Sequence, residues 1–222
     1  MADFEPVNIK NLSPRQFRGM VRNVRNVYEA ATPEQHEEGR LWYPKAHDVA
    51  SVIGGGNVHR GAGAIAALSP QTDWDLNVQQ AHELKHLGTQ HIDALTRGDR
   101  SVLHGTALNR QTTARVLGAH RLLHGEDDPA NSLGLKTGSF YRNISDPSDR
   151  HSVTIDVHAH DVAVGQKLQH NVTRGLQAQG RYNMFADAYR MAAQHHDVPG
   201  HQMQAATWVA WREANSRKRG SR

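Results

Sequence analysis

Helical periodicity, punctuated by capping and breaking residues, is the feature that most restricts this chain. Apolar side chains recur at three- and four-residue intervals along most of its 222 residues, and no convincing strand pattern interrupts them. Ser13 is a favourable N-cap, Pro14 stands at the first helical position, and Phe17, Met20, Val21, Val24, Val27 and Tyr28 follow on one face. Thr32 and Gln35 have the spacing of a capping box and open a second helical stretch. Pro44 is expected to interrupt it, with a fresh start near Lys45 running to Ile53. Gly54-Gly55-Gly56 is a break. Residues 61–68 are small and apolar and predict a buried helix packed closely on its neighbours, ended by Ser69-Pro70. The pattern resumes from Asp73, with Leu76, Ala81, Leu84 and Leu87 on one face and Gly88 closing. Further helices are predicted over 110–123, 136–144, 157–166 and 182–196, and a last one beyond Pro199-Gly200 bears Trp208 and Trp211. Residues 126–135 read as turn and 146–149 as loop. The predicted fold class is all-α.

Composition narrows what such a helical chain does. Cysteine is absent, which excludes a thiol nucleophile, a disulfide framework, an iron–sulfur cluster and any cysteine-bearing zinc site. No apolar run approaches the roughly 20 residues of a membrane span. The opening Met1-Ala2-Asp3-Phe4-Glu5-Pro6 has neither the basic start nor the apolar core of a signal peptide, so a cytoplasmic protein without membrane partners is expected. A formal net charge of +4 with a pI near 9.6 is mildly favourable to polyanions. The concentrated basic piece is Arg217-Lys218-Arg219 with Arg222, read as a flexible tail over 217–222 after one helical domain over 1–216.

Three segments carry candidate chemistry. Leu68-Ser69-Pro70-Gln71-Thr72-Asp73 joins a helix end to a new helix start. Ser132-Leu133-Gly134-Leu135-Lys136-Thr137-Gly138 is a tight turn feeding a helix. Ile155-Asp156-Val157-His158-Ala159 is an apolar lead-in to a carboxylate at a helix start. Taken singly, each is ordinary capping and turn chemistry.

In their order and spacing the three resemble the helix-hairpin-helix DNA glycosylase superfamily, the group that includes endonuclease III. Leu68-Ser69-Pro70-Gln71 matches the family's "LLSAQ" turn, Leu133-Gly134-Leu135-Lys136-Thr137-Gly138 the second half of "LPGVGRKTA", and Ile155-Asp156-Val157-His158-Ala159 the "VDTHV" segment. The resemblance covers roughly residues 64–165. It implies a two-lobed helical domain whose partner is DNA and which flips a base out of the duplex. Gln71 would fill the vacated space, with Trp74 beside it or in the core. Ser69, Gly134, Thr137, Gly138 and His158 would contact DNA, Gly134 and Thr137 gripping a phosphate. Asp156 would support chemistry at the sugar or base. Lys136 would serve either as a second catalytic residue, attacking the sugar, or as a phosphate contact. No cofactor and no metal are implied.

The departures shape the alternatives. Ser132 replaces the first hairpin glycine, Asp161 stands where an arginine commonly follows "VDTHV", and the C-terminal cysteine cluster is missing. Residues 204–212 look more like the divergent phage and bacterial branch of the fold, linked to thymine hypermodification, in which a small amine or amino acid would be a co-substrate and the setting a bacterial or phage-infected host cell. A non-catalytic DNA-binding protein is a further reading. A fourth is an HD-type metal phosphohydrolase with His120, His160-Asp161 and Asp187 as ligands. Tyr182, Phe185 and Tyr189, with Trp208 and Trp211, are predicted to form an aromatic core under the C-terminal helices.

Overall fold

A computed structural model describes residues 13–169 and 172–220, with side chains as far as residue 215. Helix, short 3-10 turns included, makes up 71% of the described residues and no strand occurs among them, so the fold is all-α. Eleven helices follow one another among the described residues: α1 (Pro14–Glu29), α2 (Pro33–Ile53), α3 (Val58–Leu68), α4 (Trp74–Lys85), α5 (Thr89–Thr96), α6 (Thr113–His124), α7 (Pro129–Ser132), α8 (Leu135–Ser145), α9 (Val157–Val164), α10 (Gln179–Gln194) and α11 (Gly200–Gly220). Short 3-10 turns at Ser101–Leu103 and Ala107–Arg110 lie between α5 and α6. The basic terminus expected at 217–222 falls outside the described side chains.

The helix starts follow from local chemistry. Ser13 and Gln16 form a reciprocal capping box at α1, and Thr32 and Gln35 do the same at the start of α2. Asn57, Asp73, Thr112, Asp128 and Asp156 each accept a backbone N–H from the first turn of the helix they precede. Gly125 and Gly165 close α6 and α9 in the left-handed conformation.

Pro44 does not break α2, which runs through it to Ile53. The proline removes the N–H that would bond the Arg40 carbonyl, but both flanks are held by packing. A Cβ on Gly39 would lie 2.5 Å from the Ala206 backbone, and Tyr43, Ala46 and Ala50 are buried around and beyond the proline. The eight-residue α5 escapes the periodicity because it buries only Ala94 and Leu95.

The chain divides into two compact units, a central one over Tyr43–Pro147 and one built from the two chain ends, Met1–Trp42 and Ser148–Arg222. In the central unit α3 is the buried helix, with Gly61, Ala62, Gly63, Ala64, Ile65, Ala66 and Leu68 all inside and α4, α6 and α8 packed around it. Its small residues permit close approach. A Cβ on Gly61 would sit 1.8 Å from the Ala50 carbonyl oxygen, and one on Gly63 would sit 3.1 Å from Pro129 Cγ.

In the unit of the chain ends, α1 packs on α9, α10 and α11 through Met20, Val21 and Val24. Tyr182, Phe185 and Tyr189 are buried in α10, as expected, whereas Trp208 and Trp211 are half-buried. Trp208 lies edge-on to Trp42 and under the Arg212 guanidinium, 4.2 Å from its ring centre. Arg15, Arg18, Arg22 and Arg25 occur at i, i+3 and i+4 spacing on α1, like-charge neighbours that each cost an isolated helix about 0.2–0.5 kcal/mol.

Gly61→Ala is expected to destabilise the protein by about 3 kcal/mol, because backbone stands where the methyl would go. Gly19→Ala, with nothing within 4 Å, is expected to stabilise it by about 0.5–1 kcal/mol. Urea denaturation of the two variants checks both signs.

Candidate functional site

The turn between α3 and α4 is built to hold one exposed side chain. Ser69 ends α3, its hydroxyl donating to the Ala66 carbonyl at 2.9 Å, and Asp73 begins α4 by accepting the Leu76 N–H at 3.0 Å. Between them Gln71 is exposed, with φ at 64°. A residue other than glycine in that left-handed region is uncommon and costs about 1–2 kcal/mol, so the surroundings must hold it there. They do so with buried amides. Gln111 Nε2 lies 3.0 Å from the Leu68 carbonyl, 3.0 Å from Thr72 Oγ1 and 2.7 Å from Gln80 Oε1. Its Oε1 accepts from Arg115 Nη1 at 2.7 Å, and the same nitrogen lies 3.4 Å from the Pro70 carbonyl. Gln80 Nε2 then donates to the Ala107 carbonyl at 2.9 Å.

Residues on both sides of Gln71 are therefore tied to one amide that is 4% exposed, resting on another that is fully buried. Sequence reasoning missed Gln80, Gln111 and Arg115. The available signal was polar: Asn77 and Gln80 share the buried face of α4 with Ala81 and Leu84.

The second segment forms a one-turn helix, a two-residue link and the start of α8. Ser132, where the hairpin glycine is expected, donates its N–H to Asp128 O within α7 and so has no amide to offer. Gly134 is the exposed N-cap residue of α8, and no side chain caps that helix start. Lys136 is exposed, and Thr137 is half-buried with Oγ1 donating to the Gly134 carbonyl at 3.2 Å. Gly138, expected among the DNA contacts, is instead buried, with Leu133 O 3.6 Å from where its Cβ would stand. Ser69 likewise is engaged at the end of α3.

The third segment holds a carboxylate in a stiff frame. Val153, Thr154 and Ile155 are buried, and the Tyr182 hydroxyl bridges them by donating to Val153 O and accepting from Ile155 N, each at 3.0 Å. The Tyr189 hydroxyl donates to Ala159 O at 3.1 Å. Two tyrosines of α10 thus grip the backbone before and after Asp156. The aspartate is half-buried; its Oδ1 accepts the Ala159 N–H at 2.8 Å, and its second oxygen takes no hydrogen bond among the described residues. His158, two residues on, is half-buried as well. Ser69, Gln71, Gly134, Lys136, Thr137 and Gly138 belong to the central unit, where α3 packs along α8, while Asp156 and His158 belong to the other unit.

The residues of an HD-type metal centre are engaged elsewhere. Both oxygens of Asp161 meet Arg174, Oδ1 to Nε and Oδ2 to Nη2 at 2.9 Å each, and Oδ2 also accepts the Leu168 N–H at 3.1 Å. Asp161 is 3% exposed and Arg174 9%. His160 Nδ1 lies 3.1 Å from Asp161 Oδ1, Asp187 pairs with Arg190, and the His120 ring lies against that of His124. No group of three or more His, Asp or Glu among the described residues is placed to hold a metal ion.

The chain belongs to DUF7178, a family of unknown function whose match spans residues 7–215. No curated protein and no solved structure matches it. None of the described helices is long and apolar enough to cross a membrane.

Gln111→Leu is expected to destabilise the protein by about 2–3 kcal/mol, since it strips buried polar partners of their amide, and to speed amide exchange over residues 71–73. Hydrogen exchange read beside a urea melt checks both. At Asp161, burial works to raise the carboxyl, but the hydrogen bonds from His160, Arg174 and the Leu168 N–H together hold it below its ordinary value. A lowered folded value means that the stabilisation is complete above about pH 4, the ordinary carboxyl range, and drains as pH falls through the lowered value. Asp161→Asn should cost about 3–5 kcal/mol at neutral pH and flatten the acid limb of the stability profile.

Proposed function

We propose that this chain is a DNA base-processing enzyme of the helix-hairpin-helix glycosylase type. The observation that carries the reading is Gln71: exposed, held in a left-handed backbone conformation, and pinned from beneath by a buried amide network. A strained, solvent-facing residue on so stiff a mount is the kind of feature that clusters at functional positions. The requirement is that of a probe that enters a duplex and holds the space of a base swung out of the stack. The clamped Asp156 supports the same reading.

In this mechanism the uncapped start of α8 offers its first N–H groups to a backbone phosphate. Lys136 contributes charge beside it, in the exposed setting of a phosphate contact rather than that of a desolvated nucleophile. Asp156 faces the sugar of the flipped nucleotide. As the bond from C1′ to the base nitrogen breaks and its electrons leave with the base, positive charge grows on the sugar. A fixed carboxylate stabilises that charge and accepts a proton from the water that attacks C1′. In the hypermodification branch the bond to the base stays intact, and the carboxylate accepts the proton of an amine that attacks the 5-methylene carbon of phosphorylated hydroxymethyluracil as the phosphate group leaves. The tyrosine clamp keeps the carboxylate from drifting as the charge develops.

Duplexes containing uracil, hydroxymethyluracil, its phosphorylated derivative or common lesions, incubated with and without amino acids and followed by mass spectrometry, test the reading. Asp156→Asn is the matched control, because asparagine also caps a helix and leaves the fold intact. The expected result is a product whose formation rate falls by about a hundredfold or more in the variant. A free base marks excision, and a nucleoside of increased mass marks the hypermodification branch. Absence of any Asp156-dependent product on these substrates overturns the proposal.

A further inference from the structure

Helix α1 carries a row of four arginines along one face. Arg15, Arg18, Arg22 and Arg25 fall within an arc of about 80° on its surface, roughly 130° round from the buried Met20, Val21 and Val24. The stripe is about 15 Å long at 1.5 Å per residue, matching about four nucleotide steps of one strand at 3.4 Å each. Arg15, Arg18 and Arg22 are exposed, and none of them makes an ion pair among the described residues. Arg25 alone is paired, with Glu29 at 3.0 Å. No acidic residue stands in the first turn of α1, so Arg15 sits at the positive end of the helix dipole, where a cation is disfavoured. The fold gains nothing from this placement; an external polyanion would relieve it.

We infer that the arginine stripe of α1 is a docking surface for the phosphodiester backbone of DNA, a contact outside the Gln71 turn and the start of α8. This rests on the DNA reading above. Evenly spaced guanidiniums suit a regular array of phosphates, each offering forked donors to paired oxygens. A membrane surface fits less well, since a helix lying in lipid needs a free apolar face and that of α1 is already covered by α9, α10 and α11. The stripe also stands on the helix that supports Asp156. Asn23, in the middle of α1, donates from Nδ2 to the Ala163 carbonyl of α9 at 2.9 Å. Nucleic-acid contacts along α1 thus act on a helix packed against the one that Asp156 caps.

Fluorescence anisotropy with a labelled duplex of arbitrary sequence, titrated with the full chain across a range of potassium chloride concentrations, tests the inference. Arg18→Gln/Arg22→Gln is compared with the wild type and with the charge-matched Arg97→Gln/Arg110→Gln in the central unit. The stripe variant is expected to bind roughly tenfold more weakly at physiological salt. Its slope of log affinity against log salt should be shallower by about 1.8, or about 0.9 for each phosphate no longer neutralised. Its melting temperature should equal or exceed that of the wild type, because like charges have been removed. An unchanged slope, or an equal loss in the charge-matched control, overturns the stripe while leaving the DNA reading standing. Stripe-dependent binding without any Asp156-dependent product supports the stripe and removes the enzymatic reading. No binding to DNA overturns both, and stripe-dependent capture of anionic phosphatidylserine vesicles in its place would assign the surface to a membrane.

Discussion

The close approach of Gly61 to the Ala50 carbonyl, nearer than any side chain would allow, is the constraint on which the central unit depends. It lets α3 sink among α4, α6 and α8 with Gly61, Ala62, Gly63, Ala64, Ile65, Ala66 and Leu68 buried. Two functional segments then inherit their positions. The C-terminal end of α3 delivers the Gln71 turn, and the face of α3 that touches Pro129 and α8 sets the start of the latter. Small residues make this possible because backbones meet directly and side-chain rotamers have little left to decide.

Polar groups complete what packing begins, and both units use the same device. Beneath the Gln71 turn, the buried amide of Gln111 bonds the Leu68 carbonyl and the Thr72 hydroxyl that flank it and rests on the buried amide of Gln80. Around Asp156, two tyrosine hydroxyls bond the backbone on either side. Each loop lacks a sheet or a long helix to satisfy its main-chain groups, and each receives that satisfaction from a side chain fixed in a neighbouring helix. A fully paired buried network is rigid because any displacement leaves a polar group without a partner. The Asp161–Arg174 pair ties the segment after α9 down in the same way.

Charge follows a different logic. Read along the chain, the conspicuous basic residues are Arg217, Lys218, Arg219 and Arg222, because they are nearly contiguous. In α1 the arginines are interleaved with Phe17, Met20, Val21 and Val24, which dilutes them in any linear window. Helical winding separates the two sets onto different faces, and packing then hides one of them. The polar residues on α4 are similarly visible in the sequence: Asn77 and Gln80 occupy positions that periodicity reserves for apolar side chains, a conflict that marks a network rather than an error.

Helix starts and stops were legible from residue order, because a cap is a bond between groups two or three residues apart and a glycine at positive φ acts on its own backbone. The all-α class, the caps at Ser13, Thr32, Asp73 and Asp156, and the buried small-residue helix follow from such local chemistry. The continuity of α2 through Pro44, the burial of Gly138, the partners of Asp161 and the clamps on Gln71 and Asp156 depend on residues distant along the chain. Their outcome was set when the helices packed, since which group is covered, which is paired and which is left facing solvent depends on the neighbouring helix that lies against it.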